Sequence, residues 1–159
     1  MSRPATLEPI VIDAIERYFD LLQAHASTQQ MIEHVLTDDF ETGFADGYRW
    51  RGVAGLAEFL DARSVFFDEA HEVLQLIHVE SPDAQTIQAR TRVRFFLRRH
   101  EPPAAVSQEF TGQVWHTWQL RREPPQDQWR VAAQIVDGFA ALNPNAAALF
   151  GAPAEGLRT

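Results

Sequence analysis

The chain has 159 residues, 45% of them hydrophobic and 23% charged, a size and balance that fit a single globular domain over 1-159. All 14 basic residues are arginine and there is no cysteine, which excludes disulfides, thiolate metal sites, thiol nucleophiles and lysine Schiff-base chemistry. A net charge of −8 argues against sequence-independent nucleic-acid binding. No apolar run nears the ~20 residues of a membrane helix, and Met1 to Glu8 lacks a basic segment followed by an apolar one. The expectation is a cytoplasmic protein without membrane contact.

From about Glu8 to Ala26, apolar residues recur at helical spacing: Val11, Ile12, Ile15, Tyr18, Phe19 and Leu22. Charged residues take the other side, so a long amphipathic helix is expected, with Pro9 in its first turn. Ser27 followed by Gln30 forms the pattern of a capping box for a short second helix through Leu36. Thr37 to Gly52 is turn-rich yet aromatic, which predicts a short hairpin or loop with Phe40, Phe44, Tyr48 and Trp50 folded inward. A third helix is expected from about Val53 to Phe66, burying Leu56, Phe59 and Leu60.

The pattern then changes to strands, at about 70–80, 85–99, 107–122 and 128–137. Ser81-Pro82-Asp83, Pro102-Pro103 and Pro124-Pro125 supply the breaks between them. Asn143-Pro144 opens a short terminal helix ending near Gly151. Helices followed by long meandering strands predict an α+β fold: a cone-shaped, curved antiparallel β-sheet wrapped around the N-terminal helices, a half-barrel with a central cavity.

Two late strands carry the residues of most chemical interest. Alternate positions from Phe110 read Phe110, Gly112, Val114, His116, Trp118 and Leu120, so His116 points inward. The same reading from Trp129 puts Val131, Ala133, Ile135 and Asp137 on one apolar face. The assignment holds only in that register, because the side-chain period of a strand is two. A buried imidazole beside a carboxylate makes an acid/base pair. The plainer readings are a hydrogen-bonded core histidine and an Asp-Gly turn.

These elements resemble the nuclear-transport-factor-2-like superfamily, in particular its SnoaL-like polyketide cyclases and ketosteroid isomerases. The resemblance covers roughly residues 8 to 140. It rests on Ala14-Ile15-Glu16-Arg17-Tyr18-Phe19, on Leu36-Thr37-Asp38-Asp39-Phe40, on Arg51-Gly52 and on Gln128-Trp129-Arg130-Val131. Against the ketosteroid isomerases, Tyr18 is similar in position to their oxyanion-donor tyrosine. Phe44 stands where their base aspartate would be, and His116 where their protonated aspartate would be. Steroid-type isomerisation is therefore not expected. The SnoaL-like cyclases have a histidine on the penultimate strand and an aspartate on the last, and His116 and Asp137 are similar in placement.

The resemblance implies an enzyme without cofactor, acting on a small apolar molecule that bears a carbonyl. Cyclisation, isomerisation or dehydration are the reaction types. Asp137 is then the expected base, His116 its partner, and Tyr18 the donor to the developing enolate oxygen. Phe44, Trp50, Phe59 and Trp118 are the expected pocket wall. A non-catalytic binding protein and a structural partner subunit are the alternatives.

The remaining clusters carry less. His71 and His78 are an odd number apart and face opposite sides of one strand, so no metal site is expected. Asp38 and Asp39 follow a helix end and suit a turn. Arg90, Arg92, Arg94 and Arg98 share one strand face, read as a solvated or dimer-facing outer sheet. The outward Trp115 beside them suits a protein interface, and the resemblance implies a homodimer through the outer sheet face.

Overall fold

The computed structural model describes residues 4–100, 102–103, 105–123 and 128–151; the expected turn at Pro124-Pro125 lies outside them. The elements follow in the order α1 (Pro4–Gln23), α2 (Thr28–His34), β1 (Leu36–Phe44), β2 (Arg49–Arg51), α3 (Gly52–Arg63), β3 (Phe66–Asp83), β4 (Thr86–Arg99), β5 (Gln108–Arg121), β6 (Arg130–Ala140) and α4 (Pro144–Ala146). A π-helical turn, Ala147–Gly151, completes them.

Of the expected α1 stripe, Val11, Ile15, Tyr18, Phe19 and Leu22 lie in the core, while Ile12 is only half-buried and Ala14 takes a core position beside them. The helix stops before the expected Ala26 because His25 takes a left-handed backbone (φ 58°) and the Ala26 amide turns back to the Leu21 carbonyl. The Ser27–Gln30 capping box forms in both directions. The aromatic turn-rich stretch folds as the β1–β2 hairpin. Gly43 is required there, since its φ of 146° and the closeness of the Tyr48 carbonyl leave no room for a Cβ.

Six strands form one sheet in the order β2-β1-β6-β5-β4-β3. Every pairing is antiparallel except β1 with β6. Bulges bend the sheet around α1, and β2 and β3 remain unpaired edges, so it is a half-barrel rather than a closed one. On β5 the alternation read from the sequence holds: Phe110, Gly112, Val114, His116, Trp118 and Leu120 face inward and are buried.

On β6 the alternation fails, and bulges are the cause. Leu120 pairs with Val131 but Gln119 pairs with Ala133, so Ala132 is an extra residue. Beyond it the faces exchange. Gln134 and Val136 turn inward, while Ile135 and Asp137 turn out. A second irregularity pairs Trp115 with Gly138 and His116 with Val136, leaving Asp137 opposite no residue.

Asp137 therefore lies on the outer face, a correction to the inward expectation. Its carboxylate accepts from Thr117 Oγ1 at 2.6 Å and from Arg90 Nε at 3.3 Å. The outer arginine row is partnered throughout: Arg92 with Gln113, Arg94 with Glu72 and Arg98 with Asp68. Asp38 and Asp39 belong to β1 rather than to a turn, and Asp39 pairs with Arg121.

Candidate active site

The concave side of the sheet, α1 and α3 enclose a cavity of about 190 Å³. Most of its wall is apolar, with Phe44, Trp50, Phe59, Phe95, Phe139 and Phe150 among its rings. The C-terminal turn supplies Phe150, which stacks on Phe139 with centroids 5.1 Å apart. Of the expected pocket wall, Phe44, Trp50 and Phe59 line the cavity, and Trp118 does not. Trp118 is fully buried behind the wall, edge-on to Tyr18 and Phe19, and its indole N–H donates to Thr91 Oγ1 at 2.8 Å.

Few polar groups reach the cavity: Tyr18, Thr42, Arg63, His71, His116 and Gln134. Tyr18 Oη donates to Gln134 Oε1 at 3.0 Å. Thr42 Oγ1 lies 3.0 Å from the same oxygen and 2.9 Å from the Gln134 carbonyl. Tyr18 thus fixes the amide oxygen, with the single Thr42 hydroxyl proton shared between that oxygen and the Gln134 carbonyl, and burial pushes the Tyr18 phenol pKa well up, so it stays protonated. Among the described residues, nothing hydrogen-bonds to Gln134 Nε2. Its two N–H donors are left for a ligand oxygen.

Two imidazoles share this wall. His71 stacks on Phe19, centroids 4.3 Å apart with planes 5° from parallel. Its Nδ1 is 3.1 Å from Gln23 Oε1. An amide oxygen only accepts, so Nδ1 carries the proton and Nε2 the lone pair. Burial, then the Arg63 and His116 charges, hold His71 well below the ordinary histidine range. His116 is fully enclosed, and its Nδ1 is buried without a hydrogen-bond partner. Burial, with Arg63 adding to it, brings its pKa down to about 3. Both imidazoles are neutral at pH 7.

Arg63 and Glu69 close one side of the cavity as an ion pair from Arg63 Nη2 to Glu69 Oε1. The Arg63 guanidinium lies over the Phe59 ring, 5.6 Å from its centroid. Glu69 Oε1 is also 4.0 Å from His71 Nδ1. Burial raises the Glu69 carboxyl, and the Arg63 charge opposes that rise.

The structure thus brings His116 and Tyr18 to the cavity and leaves Asp137 outside. Sequence reasoning missed His71, Gln134, Thr42, Arg63 and Glu69. His71 and Glu69 reach the interior two positions apart on β3, after the extra residue Phe67. A period-two reading begun at Phe66 would have found both only with that bulge in place. Gln134 was hidden by the bulge at Ala132, which put it on the face read as outer.

No family model matches the sequence, and no curated protein matches it. The fold has many solved counterparts. A scytalone dehydratase-like protein from Novosphingobium aromaticivorans superposes with a TM-score of 0.71 at 10% identity, covering 87% of this chain and 87% of that one. A nuclear transport factor 2-like superfamily protein from Salmonella enterica superposes at 0.65, with 14% identity over 86% of this chain and 93% of that one. A hexachlorocyclohexane dehydrochlorinase, LinA type 2, superposes at 0.66, with 12% identity over 88% and 91%. At these identities the likeness speaks for architecture alone. The chain has the α+β cone fold of the nuclear-transport-factor-2-like superfamily.

Proposed function

We propose that the protein is a cofactor-independent enzyme that moves a proton next to a carbonyl in a small apolar molecule, giving an isomerisation or a dehydration. A cyclisation of the SnoaL type uses the same step. The observation that carries this reading is the cavity itself. One apolar chamber holds neutral imidazoles and an amide N–H pair with no partner among the described residues. Structural neighbours that include a dehydratase-like protein and a dehydrochlorinase support the general kind.

In this reading His71 Nε2 takes the proton from carbon. Gln23 holds the ring in the required tautomer, and the nearby Glu69 carboxylate favours the imidazolium that forms. Gln134 Nε2 donates to the oxygen on which enolate charge develops. Tyr18 is then a positioning residue, because its hydroxyl is committed to Gln134 and no longer free for substrate. The His71 imidazolium returns the same proton at another carbon, which leaves His71 neutral again, and His116 is a second neutral imidazole on the wall.

The second reading is a binding protein that uses the same cavity without turnover. A homodimer through the outer sheet face belongs to either proposal, supported by the half-buried Trp115 amid the arginine row; sedimentation velocity tests it. The enzymatic reading is tested by incubating the protein with 3-methylcyclohex-2-enone in deuterium oxide. Proton NMR should show protein-dependent loss of the acidic C–H signals. Binding of the enone without exchange would favour the binding protein.

A further inference from the structure

We infer that the cavity selects uncharged, single-ring molecules bearing an oxygen acceptor, and that Glu69 is the residue that excludes carboxylates. The inference rests on the cavity being a ligand site, as proposed above, and not on turnover in it.

Size is the first argument. An apolar cavity of roughly 150 Å³ accepts benzene, while pockets for drug-sized ligands start at about 300 Å³. At about 190 Å³ this chamber suits one substituted ring and is too small for a fused tetracycle.

Charge is the second. Arg63 is the one cationic side chain on the cavity wall among the described residues. Left alone, a guanidinium over an aromatic floor would make the chamber an anion receptor. Glu69 prevents this. Its side chain is 1% exposed and is joined to Arg63, so the cation arrives already neutralised. Behind the pair lies a second, more polar cavity, lined by His25, Ser27, Thr28, Asp61, Ser64 and both members of the pair. Arg63 and Glu69 thus stand as a charge-balanced partition between a polar compartment and an apolar one. A ligand carboxylate entering the apolar side would share Arg63 with a buried anion and lose its own hydration. A ketone meets no such cost, and Gln134 Nε2 remains for its oxygen.

The test compares two one-ring ligands of matched size and one larger ligand by isothermal titration calorimetry at pH 8. They are 3-methylcyclohex-2-enone, cyclohex-1-ene-carboxylate and a tetracyclic steroid enone. The wild-type protein should bind the one-ring enone roughly 100-fold more tightly than the carboxylate, the scale expected for burying an uncompensated charge. It should not bind the tetracycle. In Glu69→Gln the freed Arg63 should bring carboxylate binding up by about tenfold or more, with enone affinity little changed. Replacing both, Arg63→Gln with Glu69→Gln, should remove that gain while keeping the enone.

Equal wild-type affinity for enone and carboxylate would overturn the inference. So would tight binding of the tetracycle, no binding of the enone, or a folded Glu69→Gln protein that still rejects the carboxylate. Should Glu69→Gln fail to fold, the wild-type comparison and the double variant decide. Selective enone binding without deuterium exchange would uphold this inference and remove the enzymatic reading, so the two fail separately.

Discussion

Tyr18 Oη on the first helix donates to Gln134 Oε1 on the last strand at 3.0 Å, and both side chains are buried. The bond ties the two ends of the domain together and turns the Gln134 amide toward the cavity. It also assigns Tyr18 a different task from the one its position in α1 suggests. Tyr18→Phe should fold, because Thr42 still holds Gln134 Oε1. It should lose about 1 kcal/mol of stability, the usual worth of a buried neutral hydrogen bond. Urea denaturation of the two proteins measures the difference; a loss indistinguishable from zero would show that the bond does not organise the core.

Asp137 serves as the internal control. It sits outside the cavity with Thr117 and Arg90, so Asp137→Asn should leave enone binding and exchange unchanged. The stability effect should stay within about 1 kcal/mol, as for other partly exposed ion pairs. A substantial loss of turnover in this variant would reinstate the carboxylate as base.

Stability should fall on mild acidification. In the unfolded chain a histidine takes up a proton near pH 6.5, whereas buried His116 refuses it down to about pH 3. Between those values the unfolded state binds more protons, so each unit decrease in pH removes about 1.4 kcal/mol through this group. The stability is fully present above pH 6.5. His71 acts in the same direction, and Arg63 disfavours protonation of both. His116→Gln should flatten the dependence of urea stability on pH between 4 and 6 by one histidine's share. An unchanged slope would mean that His116 is not enclosed as described.

The fold was legible because its main signals are periodic. The α1 stripe, the Ser27–Gln30 capping box and the β5 alternation each depend on local spacing that no distant contact overrides. The hairpin and the open, curved sheet followed from those elements. The site was only half legible. His116 was legible because β5 itself carries no extra residue; both irregularities of its pairing with the last strand fall on β6. Asp137 was misplaced because one extra residue, Ala132, reverses every side chain beyond it. Nothing in the alanine pair Ala132-Ala133 distinguishes a bulge from continuous strand. In the sequence His71 reads as half of a histidine pair on opposite strand faces, whereas its partners are Gln23, distant in the chain, and Glu69, two residues away on the same face. Trp118 was placed on the correct face but one layer too near the cavity, since alternation tells inside from outside and not depth.

In the proposed reaction a cavity histidine, not the outer aspartate, moves the proton. The most direct measurement is deuterium exchange of 3-methylcyclohex-2-enone catalysed by wild-type, His71→Gln and Asp137→Asn proteins, with enone affinity measured on each. His71→Gln should lose at least about 100-fold in exchange rate while still binding the enone, and Asp137→Asn should match wild type. Exchange that survives in His71→Gln and disappears in Asp137→Asn would contradict the assignment of the base to His71.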